Sequence, residues 1–284
     1  MPIAQLNRGI LNLSGEDVIP FLQGIMTQDA QRLQQDPALY AAFLNPQGRL
    51  LHDFLLVPTE TGVLLDTEAE RCRDLLRRMS LYKLRSKVVI EDVSANYKVL
   101  VAWGNKDASH LQSLGHAVMD PRLMDLGWRI YQEAHAPNAA TASAEEYDLH
   151  RLQLGAPDGS RDMIPEKAIP LECGLDELNA ISWTKGCYLG QELTARTKYR
   201  GLVRKRLLPV RLEGPASPGD SLTLGGEEVG EMRSTHESSG LARLKLDAVH
   251  KAIQDGTPFH TSSGATATPM IPSWMRLPST DAQG

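Results

Sequence analysis

The segment TKGCYLGQELTARTKYRG, residues 184–201, places a cysteine where its thiol could be activated. Gly186 and Gly190 permit backbone angles that other residues resist, and helix formers follow them, so the segment predicts a sharp turn that leads into a helix. A cysteine just ahead of a helix feels unpaired N–H groups and the positive end of the dipole, and Lys185 adds a second positive charge. Both effects favour the thiolate form of Cys187.

Two other interpretations of Cys187 remain open at this stage. A free cysteine is commonly a small buried apolar residue, and that outcome requires no chemistry. A catalytic nucleophile would need an activating base, which the segment does not evidently supply, although a base could approach through the fold. The remaining cysteines, Cys72 and Cys173, form no CxxC pair, so the sequence encodes neither a disulfide framework nor a self-contained zinc site.

The composition is that of an ordinary globular protein. The 284 residues suffice for two or three domains, and the hydrophobic fraction of 42% and the charged fraction of 23% are near average. No apolar run approaches the roughly 18 residues of a membrane span, and the N-terminus lacks the pattern of a secretory or transit leader. We therefore expect a reducing cytoplasm. The formal net charge of −5 argues against a protein that coats nucleic acid through its overall field.

Turn chemistry and hydrophobic periodicity predict strands in the first 202 residues. Two apolar runs flank Asn45-Pro46-Gln47-Gly48, a sequence typical of the turn in an antiparallel hairpin. Strands and helices alternate without the βαβ regularity of a parallel sheet, which indicates an α+β fold. The strands are predicted at about 10–13, 40–44, 50–57, 63–65, 88–93 and 98–103.

Capping residues predict where the helices begin. Ser14 is expected to cap a first helix, and two capping boxes, Thr67 with Glu70 and Ser143 with Glu146, are expected to open two more. The helices are predicted at about 18–26, 70–84 and 144–154, with a short one around 108–114.

From residue 203 onward the sequence changes to short strands separated by glycine and proline, which is typical of a small β-barrel. Residues 134–144 are rich in alanine, proline, asparagine and threonine, a composition that resembles a linker. We therefore predict a region of two α+β lobes over 1–202, with an interleaved boundary near 134–144, and a barrel domain with a flexible tail over 203–284.

The octapeptide 185–192, KGCYLGQE, resembles the KGCYxGQE signature of YgfZ-type folate-binding proteins, which are relatives of the aminomethyltransferase (T-protein) of the glycine cleavage system. Further similarity lies in residues 43–56, 150–186 and 200–214. The signature residues are Lys185, Gly186, Cys187, Tyr188, Gly190, Gln191 and Glu192.

The resemblance implies three small α+β and β domains around a central channel that binds tetrahydrofolate or a one-carbon derivative. It also implies a bacterial cytoplasmic accessory factor for the assembly, transfer or repair of iron–sulfur clusters. Its partners would then be scaffold proteins or [4Fe–4S] client proteins.

The resemblance also implies residues that hold the pterin. Arg151, in RLQLG, matches the arginine of the T-protein RLEAG motif, and a planar guanidinium offers several donors in fixed geometry. Asp53 matches one of two adjacent T-protein aspartates, but the other position is His52. Trp183 lies in a matching SW-x-KG pattern. The T-protein glutamate that binds the pterin has no clear match in residues 126–131, which places glycine-cleavage activity in doubt.

A cluster of basic residues follows the signature. It could meet a polyglutamate tail, a protein partner or phosphate, or it could be an ordinary solvated helix end. Its members are Arg196, Lys198, Arg200, Arg204, Lys205 and Arg206.

Within such a family Cys187 has three possible roles. It could transiently ligate iron or sulfide, react with an oxidised or one-carbon adduct, or pack beside the folate. A single thiolate cannot hold a cluster, because four thiolates are the usual requirement. Two competing functions are a folate-dependent aminomethyltransferase or demethylase, and an RNA-binding module. Against the RNA-binding module stand the low aromatic content of 5% and the acidic net charge.

Overall fold

The computed structural model describes residues 1–104 and 110–277. The chain divides into two compact units, the first formed by Met1–Tyr147 and Leu178–Gln191, the second by Asp148–Glu177 and Glu192–Gly284. The sequence analysis divided the chain after residue 202 instead. The units are discontinuous because segment 178–191, which carries most of the signature, folds with the first unit.

The described strands of the first unit pair antiparallel in two sheets, in the orders β3-β4-β5-β2-β6 and β1-β7-β9-β8. The strands are β1 (Ile3–Leu6), β2 (Arg8–Ser14), β3 (Leu39–Leu44), β4 (Leu50–Thr59), β5 (Gly62–Glu68), β6 (Val89–Asp92), β7 (Tyr97–Ala102), β8 (His116–Met119) and β9 (Trp128–Glu133). The helices are α1 (Val18–Ile25) and α2 (Cys72–Lys83), and α3 (Ala144–Leu154) begins here.

The five-stranded sheet is covered on both faces. Because successive residues of a strand point to opposite faces, Leu11 and Ile10 of β2 enter different cores. Leu11 packs in a cluster that includes Phe21 of α1 and Leu75 of α2. Ile10 packs in a cluster that includes Val99 of the other sheet. This arrangement explains the nearly continuous apolar runs of β3 and β4.

The predicted hairpin is confirmed in strands β3 and β4. The Gly48 N–H donates to the Asn45 carbonyl at 2.9 Å, and the Asn45 side chain accepts from the Arg49 N–H at 2.9 Å. Gly48 has a φ of +64°, which glycine adopts without steric cost.

Of the three predicted helix starts, one is confirmed. The Ser143 hydroxyl accepts from the Glu146 N–H at 3.2 Å while the Glu146 carboxylate accepts from the Ser143 N–H at 2.7 Å. The other two are wrong. Ser14 is the last residue of β2, and α1 starts at Val18 without a side-chain cap. Thr67 is buried in β5, where its hydroxyl donates to the Asp53 carbonyl at 3.2 Å.

The second unit contains the predicted barrel, a closed sheet with the strand order β10-β13-β12-β11-β14-β15. Its strands are β10 (Lys205–Glu213), β11 (Ser221–Leu224), β12 (Glu227–His236), β13 (Ser239–Lys245), β14 (Phe259–Thr261) and β15 (Thr266–Pro269). Its helices are α4 (Gly159–Asp162), α5 (Gln191–Tyr199), which begins at the unit boundary, and α6 (Leu246–Asp255), which the sequence analysis did not predict.

Two predictions fall partly outside the described residues. The helix expected around 108–114 begins there, and the described part contains a 3₁₀ helix over Leu111–Ser113. The predicted tail includes residues 278–284, which lie outside as well. In the described part of the chain no helix combines the length and the apolar character needed to cross a membrane.

Candidate functional site

The segment 178–191 is held against the first unit by hydrogen bonds along its length. The Leu189 N–H donates to the Gly24 carbonyl at 3.1 Å, and the Ser182 N–H donates to the Thr27 carbonyl at 3.0 Å. In return, the Thr27 hydroxyl donates to the Ala180 carbonyl at 2.5 Å. These bonds fix the backbone on both sides of the exposed residues 186 and 187.

Lys185 anchors the same loop from inside. Its side chain is buried, and Nζ donates to the carbonyls of Met26 and Gln28, each at 2.8 Å. Nζ also lies 5.1 Å from the centre of the Tyr188 ring. Burial lowers the Lys185 pKa to about 8, an effect that nearby Asp29 opposes. The charge predicted to act on Cys187 is therefore directed mainly at backbone carbonyls.

The two glycines of the signature differ in what they require. Gly190 has a φ of +80°, and a Cβ there would lie 2.6 Å from the Asn45 carbonyl oxygen and 2.9 Å from Leu44 Cβ. Only glycine fits such a close backbone approach. Gly186 has no positive φ and no heavy atom within 4 Å of the place of a Cβ. The expectation that both glycines are needed for unusual backbone angles is confirmed at 190 and wrong at 186.

Cys187 is exposed, whereas Cys72 and Cys173 are buried. The interpretation of Cys187 as a buried apolar residue is therefore wrong. Burial, and then nearby Asp92, raises the pKa of Cys72, and burial, with Glu172, raises that of Cys173 to about 12. Both buried groups remain protonated thiols at neutral pH, which leaves Cys187 as the accessible sulfur.

The residues after Cys187 lead into helix α5, which begins at Gln191. Tyr188 is buried, and its hydroxyl has no hydrogen-bond partner among the described residues. Burial raises its pKa to about 12, so it remains a phenol. Gln191 is half-buried, and Glu192 is exposed in the first turn of the helix, where a carboxylate stabilises the helix N-terminus.

A second group of polar residues in the first unit surrounds Asp53 of β4. The Tyr40 hydroxyl donates to Asp53 Oδ2 at 2.9 Å, and the Arg122 guanidinium lies 5.5 Å from the centre of the Tyr40 ring. Burial, and then the Asp53 charge, raises the Tyr40 pKa well above its usual value, so Tyr40 stays a neutral donor. Asp53 itself is half-buried.

Arg122 is held in place by Asp120. Its Nε and Nη2 donate to the two oxygens of Asp120 at 2.9 and 2.7 Å. Burial alone would raise the Asp120 pKa, but the charge and hydrogen bonds of Arg122 outweigh it and hold that pKa below its usual value. A rigid, always charged guanidinium therefore lies over the phenol that orients Asp53.

His52 belongs to the opposite face of β4 from Asp53 because neighbouring residues of a strand alternate. It is buried, and its Nε2 lies 2.9 Å from Asp74 Oδ2 of helix α2. Burial, and then the charge of Arg71, lowers the His52 pKa to about 4, although the hydrogen bond to Asp74 opposes this. His52 is thus a neutral structural link to α2.

Asn179 joins the signature segment to the Arg122 loop. Its Nδ2 donates to the Pro121 carbonyl at 3.1 Å, and its own carbonyl accepts from Gln28 Nε2 at 2.6 Å. Trp183 lies half-buried in the same segment. A chain of contacts therefore connects the Cys187 loop with the Asp53 group inside the first unit.

Arg151 lies in the second unit, and two of its three guanidinium nitrogens bind residues of that unit. Its Nε donates to Asp148 at 2.7 Å, and Nη1 pairs with Asp162 and donates to the Ala156 carbonyl at 3.3 Å. Nη2 is buried and has no hydrogen-bond partner among the described residues. Two of its three nitrogens thus serve the stability of this unit. Its predicted role toward a pterin stays a prediction.

The basic cluster is smaller than predicted. Arg206 is buried, donates to the Leu171 carbonyl at 2.7 Å and pairs with Glu177, so it is not part of an exposed patch. Lys198 lies 3.2 Å from Asp176. Four residues of the cluster are exposed and Lys205 is half-buried, and the exposed ones are Arg196, Lys198, Arg200 and Arg204.

The sequence analysis missed Tyr40 and Arg122. The predicted hairpin contained the signal for Tyr40, because Ala42 pairs with Asp53 and Tyr40, two residues earlier, shares that face. No comparable signal marked Arg122, which reaches Tyr40 from a separate loop. In the described parts of the chain, no group of three or more histidine, cysteine, aspartate or glutamate side chains is arranged to hold a metal ion.

Comparison with known proteins extends these observations. Residues 204–277 match the family described as CAF17, C-terminal beta-barrel domain. The mitochondrial iron–sulfur cluster assembly factor IBA57 of Mus musculus is 34% identical, over 94% of this chain and 83% of that protein. The Homo sapiens protein of the same name gives the same identity and the same coverage.

A solved structure shows the fold. The glycine cleavage system aminomethyltransferase T from Bartonella henselae superimposes with a TM-score of 0.75, over 94% of this chain and 83% of that one. The identity is 14%, so this similarity concerns the fold alone. The predicted T-protein-like α+β fold with a C-terminal β-barrel is confirmed.

The predicted bacterial cytoplasmic location is wrong. The mouse and human relatives are named as mitochondrial proteins, and so is the homologue from Mycosarcoma maydis, which is 35% identical over 72% of this chain and 55% of that protein. A reducing compartment and few cysteines did not distinguish between these locations. The predicted resemblance to the YgfZ-type family is confirmed by these relatives. With 34% identity over 94% of its length, this chain belongs to the IBA57 family of iron–sulfur cluster assembly factors.

Proposed function

We propose that this protein supports the assembly of iron–sulfur clusters in [4Fe–4S] enzymes, with Cys187 as its point of contact with the cluster, and that it binds tetrahydrofolate or a one-carbon derivative beside Asp53. Cluster assembly is the function that the names of the relatives state. The observation that carries the Cys187 role is a lone exposed thiol on a loop whose backbone is pinned on both sides.

The cluster is a cargo in this proposal. A bound cluster usually requires four thiolate ligands, whereas the other two cysteines of this chain are buried. The remaining ligands must therefore come from glutathione, a scaffold or the client protein. Open space around Gly186 leaves room for a second molecule to approach the sulfur.

The folate proposal depends on the group around Asp53. A half-buried carboxylate can accept hydrogen bonds from the N–H groups of a pterin. The Tyr40 hydroxyl, which donates to Asp53 Oδ2, would orient this carboxylate. The Arg122 guanidinium over the Tyr40 ring adds positive charge on the side of the phenol that donates to Asp53. When bound, tetrahydrofolate carries one-carbon units, and Asp53, held by Tyr40, would orient it.

Complementation tests the role of Cys187. In cells that lack this protein, we expect Cys187→Ser to leave protein abundance and melting temperature unchanged but to reduce the activity of a [4Fe–4S] dehydratase to the level of the deletion. The matched control is Thr184→Ala, an exposed neighbour in the same segment. Full recovery of the dehydratase by Cys187→Ser would show that the thiol is not required.

Ligand titration tests the folate site. Quenching of tryptophan fluorescence by tetrahydrofolate gives an affinity for the wild type, and we expect Asp53→Asn to weaken it about tenfold, since a hydrogen bond to a charged group contributes about 1.5 kcal/mol. The control is Glu60→Gln, an exposed carboxylate at the tip of the hairpin between β4 and β5. Equal affinities for Asp53→Asn and the wild type would remove Asp53 from the site. Arg151→Lys is titrated in parallel as a separate test of Nη2.

The alternative function, a folate-dependent transferase, needs an assay of its own. The likeness to an aminomethyltransferase concerns the fold, and the sequence lacks a clear match to the pterin-binding glutamate of that enzyme. Methylene transfer to tetrahydrofolate by the purified protein would favour a transferase over an accessory factor.

A further inference from the structure

Helix α2 ends in a turn, residues 83–86, that holds Leu84 in a backbone conformation usual for glycine. Leu84 has a φ of +45° and a ψ of −110°, and the Ser86 N–H donates to the Lys83 carbonyl at 2.8 Å. These angles are close to those of the first central residue of a type II′ turn, where glycine is the usual residue. Of the four non-glycine residues with positive φ in the described chain, Leu84 alone is apolar.

Contacts within the chain do not compensate for this strain. The Leu84 side chain is 87% exposed, and Leu81, one helical turn earlier, is 67% exposed. Tyr82 between them is better held, because its ring packs edge-on against Phe43 with the centroids 5.6 Å apart. Strained residues persist where function requires them, and an apolar side chain in water adds a second cost at the same position.

The surroundings of Leu84 indicate what covers it. Lys83 and Arg85 flank it, and neither forms an ion pair with a described residue. An open depression of the surface lies beside the turn, lined by Asp17, Leu84, Arg85 and Ser86. An apolar tip between two cations is complementary to an apolar pocket with an acidic rim.

We propose that this turn, residues 83–86, is a docking site for a protein partner whose surface presents an apolar pocket rimmed by carboxylates. Leu84 enters the pocket, and Lys83 and Arg85 pair with the rim. A protein fits better than a lipid surface because a membrane does not require one fixed backbone conformation. The site does not depend on Cys187 or on folate.

The first test separates strain from binding. We expect Leu84→Gly to raise the melting temperature by about 2–4 °C, since relief of an unfavourable φ stabilises the folded state. The control is Met124→Gly, which removes a side chain that is 54% exposed at a residue without positive φ, and which we expect to lower the melting temperature. If Leu84→Gly does not stabilise the protein, the premise of strain is wrong and the proposal fails.

The second test identifies the partner and measures it. A photoreactive amino acid at position 84 in the full-length protein in cells is expected to form an adduct with one protein, and the same probe at position 124 is not. With that protein purified, Leu84→Gly is expected to weaken binding about 30-fold. A double reversal, Lys83→Glu with Arg85→Glu, is expected to weaken binding and to reduce its salt dependence. Leu84→Asn, which tolerates positive φ, should behave like Leu84→Gly.

Three results would overturn the proposal. One is the absence of any protein adduct at position 84. Another is wild-type affinity of both Leu84 variants for the crosslinked protein. The third is cosedimentation of the wild type, but not of Leu84→Gly, with vesicles of anionic phospholipid, which would assign the turn to a membrane surface instead.

Discussion

Acidification should destabilise the fold through His52, and the size of the effect follows from its environment. The imidazole is buried in strand β4 and linked to Asp74 of helix α2, and burial lowers its pKa from 6.5 to about 4. In the unfolded chain the same group binds a proton near pH 6.5. The unfolded state therefore binds more protons between these two values, and stability falls as the pH falls from about 6.5 toward 4.

The magnitude can be worked out from the two pKa values. Each pK unit corresponds to about 1.36 kcal/mol, so the loss attributable to His52 is about 2 kcal/mol at about pH 5 and about 3 kcal/mol at about pH 4. The pKa of Asp74 is lowered as well, because its hydrogen bonds with Arg77, Arg78 and His52 outweigh the opposing effect of burial. Its contribution is lost only below its ordinary pKa of 3.8, so measurements above about pH 5 isolate the histidine.

Urea unfolding at several pH values between about 7.5 and 5 measures the effect. The variant His52→Gln keeps an N–H donor for Asp74 but cannot titrate, so we expect its free energy of unfolding to vary less over this range, by about 2 kcal/mol. His260→Gln changes an exposed histidine and should follow the wild type. Parallel curves for the wild type and His52→Gln would refute the assignment of a neutral buried imidazole.

Three further outcomes are expected. Gly190→Ala should lower the free energy of unfolding by about 2 kcal/mol or more, because the new Cβ would clash with the backbone at a positive φ. Gly186→Ala should change it by less than about 0.5 kcal/mol relative to the wild type. Urea unfolding of the two variants measures the difference. A thiol reagent should modify only Cys187 in the native protein and all three cysteines after denaturation; native modification of more than one would contradict the burial of the others. Arg151→Met should cost about 3–5 kcal/mol, because it leaves the buried Asp162 carboxylate without its cation, and a loss below about 1 kcal/mol would show that water replaces the guanidinium.

Local signals in the sequence were sufficient for several elements. The turn residues at 45–48 predicted the hairpin, and Ser143 with Glu146 predicted the start of α3, because both patterns are completed by neighbours in the chain. The same reasoning failed at Thr67, where pairing in the sheet and burial outweighed the capping pattern. A capping box predicts a helix start only where no strand competes for the residue.

The candidate site combines both kinds of information. The KGCY segment marked Cys187 from the sequence, and its exposure was decided by distant partners such as Gly24 and Thr27, which hold the backbone on either side. Burial of Lys185 under the carbonyls of residues 26 and 28 could not be inferred from its neighbours in the chain.

What the sequence determined by itself is therefore the hairpin, the start of α3, the barrel and the choice of Cys187 as the candidate thiol. What tertiary structure decided is which polar groups are available for chemistry. The guanidinium of Arg206 and two of the three nitrogens of Arg151 bind carboxylates and carbonyl oxygens of the protein itself. The guanidinium of Arg122 lies over the ring of Tyr40. The physical reason is that burial and ion pairing depend on contacts between residues far apart in the chain, whereas turns and caps depend on residues a few positions away.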